Sequence, residues 1–391
     1  MTKSNLRKAK KCLACDKPLD MNKKVGLGCL PFYYGVKNPK LEELLKGKRL
    51  KAHLGTCFTC GLTQQILYKE NLRMVEAVYQ SQSSDASTPM AEIGWGQQRA
   101  KVFFENTKFL FSPSSVLEVG CQNGYLLYEL FKRGAQKLVG VEPSPQVPFT
   151  ENGFKAKIFQ GFFNKRRFHG QEFDTIISLW VLEHVKAPVE FLKSLTAVLS
   201  QKGQLIIAVP NAERQMRVGD PGLFMHEHLS HFTKQSLNNI FLLAGLHIEK
   251  IKETKSDFYV TARKSAAGSK KVRNLRRADP LSHYRNSLQT LLKNFKKRKA
   301  PAKRLGLWGA CATAANLISM VNLKGYTIFD GDVKKQNREI SGIRGRVWAP
   351  TKSVLQSTVD KVCVIPIGFQ DVIGKILEGY SFPYFSLVDK R

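Results

Sequence analysis

The stretch VLEVGCQNGYLL, residues 116–127, decides the fold. It reads as a buried strand, a turn that contains Gly120 and Gly124, and the start of a helix. Glycine at both positions lets the backbone come close to a ligand. The GxxxG spacing lacks the three-glycine pattern of dinucleotide sites, so a pyrophosphate is not indicated. Glu142 ends the next apolar run, KLVGVE, where a carboxylate that binds a ribose is expected.

Strand-like apolar runs alternate with helical patterns from residue 93 to about residue 263. The strand-like runs are SVLEVG, KLVGVE, FDTIISL and QLIIAVP, and the helical ones include YLLYELFKRG and PVEFLKSLTAVLS. This alternation is typical of a parallel sheet with crossover helices. A second, shorter series of the same kind follows residue 304. We therefore predict an α/β fold in two units, the second smaller than the first.

Composition limits the class of protein without identifying a partner. Lys and Arg number 62 against 31 Asp and Glu, which gives a formal charge of +31 and a surface that attracts anions. Nucleic acid, a phosphorylated substrate and anionic lipid all fit that charge, and so does a general basic bias of a proteome. No apolar run reaches the roughly 20 residues of a membrane span, and the basic N-terminus lacks the apolar segment of a signal peptide. We expect a cytoplasmic protein with no membrane partner.

Four of the eight cysteines form two CxxC pairs, Cys12 with Cys15 and Cys57 with Cys60. Each pair presents two thiolates from one tight turn. Four thiolates without histidine make a closed tetrahedral set, which suits structural zinc and leaves no position for a reacting water. The other four cysteines lie singly and indicate core positions. We therefore predict one structural zinc site near the N-terminus.

The chain divides into four segments. A polar connector, SQSSDASTP, separates the cysteine pairs from the glycine turn. Between residues 263 and 304 Lys and Arg dominate, yet apolar residues recur at helical spacing, which predicts one amphipathic helix with a solvated basic face. The predicted segments are a zinc-binding module at 1–84, an α/β domain with the glycine turn at 85–262, a basic linker helix at 263–300 and a C-terminal α/β domain at 301–391.

The glycine turn and the acid of the second strand resemble those of class I S-adenosylmethionine-dependent methyltransferases. Glu118, Gly120 and Gly124 match the glycine motif of that superfamily. Glu142 matches its ribose-binding acid, and Gln122 stands where a glycine is usual. The resemblance implies that these five residues bind S-adenosylmethionine in a Rossmann-like core.

The flanking motifs narrow the resemblance. FDTIISLWVLEHVKAP, residues 173–188, and GQLIIAVPN, residues 203–211, resemble the fourth and fifth strands of the superfamily, and HEHLSHFT follows. With CFTCGLTQ in the zinc module and FDGDVKKQ near the C-terminus, nearly the whole chain resembles the nucleotide-sugar C-methyltransferase family. That family has an N-terminal zinc module and a second, smaller Rossmann-like domain after the methyltransferase core. The resemblance implies C-methylation of a nucleotide-diphosphate keto-deoxysugar, and we expect a monomer without a nucleic-acid partner.

The resemblance also assigns roles in the histidine segment, which we define as FMHEHLSHFT, residues 224–233. Methyl transfer to carbon needs removal of a proton beside a ketone, and a neutral imidazole titrates near the required pH. His228 matches the catalytic base of the family, Glu227 matches its carboxylate partner, and Met225 replaces a tyrosine. The implied substrate-binding residues are His226, Tyr79 and Asn211.

Other interpretations stay open. A zinc-containing RNA methyltransferase, or one for another small molecule, also fits the glycine turn and the charge, and RNA binding would weaken steeply with salt. A histidine in the histidine segment can also simply pack the domain. A metal site is not favoured, because the HExxH spacing is missing and His228 and His231 would need a third ligand. For the C-terminal domain we favour a wall of the substrate site over a second cofactor site.

Overall fold

The computed structural model describes residues 11–35, 43–45, 48–80, 95–107, 115–144, 148–151, 153–155, 157–265 and 279–388. Within these ranges the strands are β1 Val25–Pro31, β2 Arg49–Thr56, β3 Thr63–Gln65, β4 Ser115–Val119, β5 Lys137–Glu142, β6 Thr150–Glu151, β7 Phe154–Lys155, β8 Lys157–Gln160, β9 Phe173–Leu179, β10 Leu199–Pro210, β11 Ser230–His231, β12 Leu246–Glu253, β13 Asp257–Lys264, β14 Leu305–Trp308, β15 Tyr326–Phe329, β16 Val347–Trp348, β17 Lys361–Val364 and β18 Tyr384–Ser386. The helices are α1 Lys69–Gln80, α2 Trp95–Asn106, α3 Tyr125–Phe131, α4 Pro188–Thr196, α5 Ala212–Val218, α6 Lys234–Leu243, α7 Pro280–Lys299, α8 Ala312–Val321, α9 Lys352–Thr358 and α10 Gln370–Gly379.

The cysteine module, residues 11–80, is built on a four-stranded antiparallel sheet with the order β1-β2-β3-β11. Its fourth strand comes from the histidine segment, where Ser230 pairs with Gln64 and His231 pairs with Thr63. The module and the chain that follows β10 therefore share one sheet.

The central domain, residues 95–265, contains a seven-stranded sheet with the order β12-β13-β10-β9-β4-β5-β8. The five strands from β10 to β8 run parallel, and β13 and β12 form an antiparallel hairpin at the other edge. All five residues of β4 are buried, as are all residues of β9 except Asp174. Continuous buried apolar runs are typical of parallel strands that are covered on both faces. The α/β prediction is confirmed, and β13 extends to Lys264, just beyond the predicted boundary at residue 262.

The long helix α7, Pro280–Lys299, lies within the segment 263–300 for which the sequence predicts a basic linker helix. The Asp279 carboxylate accepts a hydrogen bond from the Leu281 backbone N–H and caps the first turn. The buried side of the helix consists of Leu281, Tyr284, Leu288, Leu291 and Phe295. Of the helices in the described ranges, none is both long and apolar enough to cross a membrane.

The C-terminal unit, residues 304–388, has a five-stranded parallel sheet with the order β16-β15-β14-β17-β18. Helices α8, α9 and α10 alternate with these strands along the chain. Sheet order reverses at β14, so the turn after β14 lies at the switch point where α/β sheets usually bind ligands. The predicted second Rossmann-like domain is confirmed.

The C-terminal unit and α7 hold the chain that leads into the histidine segment. The Asn316 side-chain amide of α8 donates hydrogen bonds to the carbonyl oxygens of Pro221, at 2.9 Å, and Phe224, at 2.7 Å. The Tyr284 hydroxyl of α7 donates to the Asp220 carbonyl oxygen at 3.1 Å. The histidine segment is thus fixed by contacts from several parts of the chain.

Candidate active site

The glycine turn after β4 needs left-handed backbone at three positions. Gly120, Gln122 and Gly124 have φ angles of 77°, 54° and 86°. Glycine adopts such angles without strain, whereas Gln122 is a non-glycine residue in a sparsely occupied region. The Gly120 N–H donates to the Val141 carbonyl oxygen at 2.8 Å, which ties the turn to the end of β5.

Gly120 also has no room for a side chain. A Cβ atom added there would lie 2.5 Å from Cγ2 of Val181, the second residue after β9. The ends of β4 and β9 therefore touch through this glycine, and the residues that follow β9 lie directly beside the turn.

Glu142 organises the turn from the end of β5. Its carboxylate accepts hydrogen bonds from the backbone N–H groups of Gln122 and Ser144, each at 3.0 Å, and from the Ser144 hydroxyl. The Gln122 side-chain oxygen is buried and accepts no hydrogen bond from the described residues. A buried acceptor without a donor calls for a ligand or water. A ligand with hydroxyl groups, such as a nucleoside, fits these two side chains.

Glu118 lies beneath the turn and is completely buried. An Arg99 guanidinium nitrogen donates to its carboxylate at 2.9 Å and to the Gly120 carbonyl oxygen at 3.1 Å. Burial raises the pKa of Glu118 to about 7, although the charge of Arg99 lowers it, and the charge of Glu142 raises it further. This arrangement stabilises the turn from below. The sequence analysis missed Arg99, because no motif marks it.

The four predicted zinc ligands come together. Sγ of Cys12 lies 3.5 Å from that of Cys60, and Sγ of Cys15 lies 3.5 Å from that of Cys57. All four sulfur atoms lie within 4.8 Å of one another. Tetrahedral zinc with Zn–S bonds of about 2.3 Å places its sulfur ligands about 3.8 Å apart, so the arrangement fits this metal. The Asn239 amide of α6 donates to the Cys60 carbonyl oxygen at 3.1 Å, which joins the zinc-type turn to the central domain.

The histidine segment turns sharply at Glu227. The His228 N–H donates to the Met225 carbonyl oxygen at 3.0 Å. The buried side-chain amide of Gln65 in β3 donates to the carbonyl oxygens of Met225, at 2.6 Å, and His228, at 2.7 Å. The cysteine module therefore fixes the turn that carries both predicted catalytic residues. Burial raises the pKa of Glu227 to about 7.

His228 lies against the short 3-10 helix Leu182–His184 that follows β9. The rings of His184 and His228 meet edge to face with centroids 4.8 Å apart. Nδ1 of His184 is hydrogen-bonded to the Glu227 carbonyl oxygen at 3.0 Å. Burial lowers the pKa of His184 to about 4, and burial together with the neighbouring His184 and His231 lowers that of His228 well below its usual value. Both imidazoles are therefore neutral near pH 7.

The other two histidines of the segment are deeply buried. The ring of His226 stacks on the ring of Phe32, with the two ring centroids 5.1 Å apart. His231 is the second of the two residues of β11. Burial lowers the pKa of each to about 4. His226 packs against the cysteine module, so its predicted role in substrate binding gains no support from its position.

The remaining predicted substrate residues lie elsewhere. The Asn211 side chain caps α5 through the Arg214 N–H and donates to Glu253 and to the Thr254 carbonyl oxygen, which uses both of its amide protons. Its predicted role in substrate binding also gains no support. Tyr79 lies near the end of α1, but its side chain is outside the described part of the chain.

Side chains from two other parts of the chain also reach this region, and the sequence analysis assigned no site role to them. The Tyr33 hydroxyl donates to the Ala310 carbonyl oxygen at 3.2 Å. In the turn after β14, the Ala310 N–H donates to the Asp330 carboxylate at 2.9 Å, and this carboxylate pairs with Lys335 at 3.2 Å. Burial raises the pKa of Tyr33, and the Glu227 charge contributes. Asp330 follows β15 just as Glu142 ends β5, which is the signal that could have identified it.

A basic patch, which we define as Lys157, Lys165, Arg166 and Arg167, lies on and after β8. All four side chains are exposed. The Arg167 guanidinium lies 5.0 Å from the Phe159 ring centre, and nearby Phe162 is 71% exposed. The Gly161 N–H donates to the Glu142 carbonyl oxygen at 2.8 Å, so the patch begins beside the ribose-type acid. It combines basic and aromatic side chains next to the glycine turn.

Residues 95–251 match a family model described as a methyltransferase domain. These residues form a class I S-adenosylmethionine-dependent methyltransferase domain. The glycine turn, Glu118 and Glu142 lie in the methyltransferase domain, and so do the basic patch and the histidine segment. The predicted fold and the predicted methyltransferase class are thereby confirmed.

Curated relatives of the methyltransferase domain are named tRNA U34 carboxymethyltransferase. The protein from Sulfurovum sp. is 35% identical over 96 residues, which is 23% of this chain and 32% of the relative. The protein from Sulfurimonas denitrificans is 36% identical over 105 residues, which is 25% of this chain and 36% of the relative. The chain thus spans about a third of the length of each. An S-adenosylmethionine-dependent methyltransferase from Mesorhizobium loti is 15% identical, with 45% of this chain and 98% of that chain covered, at a TM-score of 0.35.

Two predictions from the sequence are wrong. The relatives carry the name of a tRNA enzyme, which contradicts the nucleotide-sugar substrate and the sugar C-methyltransferase activity. It also contradicts the expectation that nucleic acid is not a partner. Both wrong predictions rested on the histidine segment, which resembles a motif of sugar-modifying enzymes. The high positive charge of the chain is consistent with nucleic acid instead. In the structure, two of those motif positions, Ser230 and His231, form a strand of the cysteine module.

Proposed function

We propose that this chain is an S-adenosylmethionine-dependent methyltransferase that acts on RNA, with transfer RNA as the expected substrate. The observation that carries the proposal is the similarity of the methyltransferase domain to relatives named for a tRNA substrate. The formal charge of +31 suits a phosphate backbone. Part of that positive charge lies in the basic patch, beside the glycine turn proposed to bind the cofactor.

The glycine turn and Glu142 are proposed to bind the cofactor. The two carboxylate oxygens of Glu142 can accept the ribose hydroxyl groups while they hold the backbone of the turn. The unpaired side-chain oxygen of Gln122 offers a further acceptor. Glu118 and Arg99 act beneath the turn and fix its shape. When bound, the cofactor supplies an activated methyl group.

The basic patch is proposed to bind RNA next to the cofactor. Single-stranded RNA is commonly bound by basic side chains that contact phosphates together with aromatic rings on which bases stack. Exposed Phe162 stands between β8 and the three consecutive basic residues 165–167. A base that stacks there would lie close to Glu142, because Gly161 is hydrogen-bonded to the Glu142 carbonyl oxygen.

The cysteine cluster is proposed to bind one structural zinc ion. Its sulfur atoms form a closed set, so the ion would fix the two CxxC turns and take no part in the reaction. The proton-removal role of His228 depended on the sugar substrate and is not carried over. Glu227 and His228 are instead proposed to contact the nucleotide that receives the transferred group, since they lie beside the segment that follows β9.

Labelled S-adenosylmethionine tests the proposal directly. The full chain, incubated with methyl-labelled cofactor and unfractionated tRNA, should transfer label to tRNA, and mass analysis of digested nucleosides should identify the added group. Glu142→Ala should strongly lower transfer at limiting cofactor concentration, whereas Glu151→Ala, which removes an exposed carboxylate on β6, should not. Normal cofactor binding with no label in tRNA, ribosomal RNA or short single-stranded RNA would overturn the proposal.

A further inference from the structure

Glu183, His184 and His228 bring three metal-ligand side chains together from two segments of the methyltransferase domain. One carboxylate oxygen and two imidazole nitrogens lie within 4.8 Å of one another. Glu183 and His184 belong to the short helix after β9, and His228 belongs to the turn of the histidine segment. Glu183 offers the third ligand atom that is missing beside His228 in the sequence pattern, and its position could not be read from that pattern because it lies in a different segment.

The Glu183 carboxylate is buried without a hydrogen-bond donor among the described residues. Its side chain is 1% exposed, and neither carboxylate oxygen accepts a hydrogen bond from the described residues. A buried carboxylate without donors is strongly destabilising unless a proton or a cation balances its charge.

His184 is oriented as a metal-binding histidine would be. A carbonyl oxygen can only accept, so the hydrogen bond between Nδ1 and the Glu227 carbonyl places the proton on Nδ1. Nε2 then carries a lone pair, and it lies 4.0 Å from a carboxylate oxygen of Glu183. Metal-binding histidines typically donate their other ring N–H to such a carbonyl. Two acceptors that face each other at this distance suit an ion between them.

We propose that Glu183, His184 and His228 bind one divalent transition-metal cation, separate from the cysteine cluster. Bonds of about 2.1 Å separate two ligand atoms by about 3.0 Å at right angles and by about 4.2 Å when opposite, so a pair at the full 4.8 Å would have to close by about 1.8 Å in the first case and about 0.6 Å in the second. Two histidines and one carboxylate leave open positions on a cation such as Fe²⁺ or Zn²⁺. Val181, which precedes Glu183 by two residues, lies against Gly120 of the glycine turn. A substrate oxygen bound at an open position of the metal would therefore lie near that turn. This inference does not depend on RNA being the substrate.

Metal content and cobalt spectra test the site in the full chain. After loading with zinc and removal of excess, the wild-type protein should hold about two ions, one at each site. Glu183→Gln and His228→Ala should each lower this to about one. His247→Ala, which removes an exposed histidine on β12, should leave it unchanged. With cobalt, the ion lost in both variants should be the one without sulfur-to-metal absorption bands.

Two results would overturn the proposal. One is a wild-type chain that holds a single ion whose cobalt spectrum shows only thiolate ligation. The other is a folded Glu183→Gln variant that keeps both ions. A rise in thermal stability of Glu183→Gln with no change in metal content would show that the carboxyl is held as a neutral acid. Cobalt titration of the wild type gives the answer even if a variant fails to fold.

Discussion

The side-chain amide of Gln65 donates a hydrogen bond to the backbone carbonyl oxygen of His228 across 2.7 Å. Gln65 belongs to the cysteine module and His228 to the methyltransferase domain, so one buried amide links the proposed zinc-binding part to the proposed site. The same amide reaches the Met225 carbonyl oxygen, which fixes both ends of the turn.

Removing this amide should loosen the turn. Gln65→Leu leaves the His228 carbonyl oxygen without this donor, while the Met225 carbonyl oxygen keeps only the hydrogen bond from the His228 N–H. We expect a loss of about 1 to 3 kcal/mol in the free energy of unfolding. Denaturant unfolding measures it, with Gln201→Leu, an exposed position on β10, as the control. Equal unfolding midpoints for the two variants would show that the link does not contribute.

Glu142→Ala should weaken binding of S-adenosylmethionine. Loss of the carboxylate removes acceptors for the ribose and frees the N–H groups of Gln122 and Ser144, so we expect a penalty of about 1.5 to 3 kcal/mol. Calorimetry with the cofactor and its demethylated product measures the change, and Glu151→Ala serves as the control. Unchanged affinity would mean that the cofactor binds elsewhere.

Neutralising the basic patch should lower RNA affinity and its salt dependence together. Arg166→Ala and Arg167→Ala should each reduce the slope of log K against log salt by about 1, because one phosphate contact is lost. Lys250→Ala, at an exposed position on β12, should change little. Binding of fluorescent tRNA at several salt concentrations decides the matter, and identical slopes for all three variants would exclude the patch as the contact.

Cys57→Ser should release the ion held by the cysteine cluster. The remaining three thiolates cannot close the tetrahedral set, and the two CxxC turns lose their common centre. We expect about one fewer zinc ion per chain and a lower melting temperature. Cys29→Ser, which changes an exposed cysteine on β1, should affect neither. Metal analysis that finds the same zinc content in both variants would contradict the assignment.

The contribution of Glu118 to stability should fall as pH rises from about 4.5 to about 7, opposite in sign to that of the four histidines of the site, whose pKa values are lowered by burial. Its carboxyl ionises near its ordinary value of 4.5 in the unfolded chain but only near 7 in the folded chain. The unfolded state therefore loses its proton first and is favoured by about 3 kcal/mol once the pH exceeds both values. Glu118→Gln should remove this contribution, so the stability of the variant relative to the wild type should rise by about 2 kcal/mol between pH 5 and pH 7. Unfolding measured at pH 5 and pH 7 gives the difference, and an unchanged slope in the variant would assign the effect to another group.

The glycine turn and the cysteine pairs were predictable because residues close together in the sequence determine them. The strand, glycine turn and acid of the cofactor site lie within a few tens of residues, and the CxxC pairs carry their own turn geometry. The roles of Arg99 and Gln65 were not predictable, because each side chain acquires its hydrogen-bond partner only through the tertiary fold. The substrate was mispredicted for a related reason. His231 belongs to a motif in sequence, but in the structure its backbone completes a sheet with β3.

The sheet that the cysteine module shares with the histidine segment can be completed only late in synthesis. Strands β1 to β3 emerge from the ribosome long before Ser230 and His231, so the edge of β3 has no partner from β11 while the whole methyltransferase core is being made. An unpaired strand edge is prone to pair with other chains. The zinc-type turns, which need only the first 60 residues, would hold the nascent module together during that interval. A cell short of zinc at that stage would therefore be expected to accumulate aggregated nascent chain rather than an inactive folded enzyme.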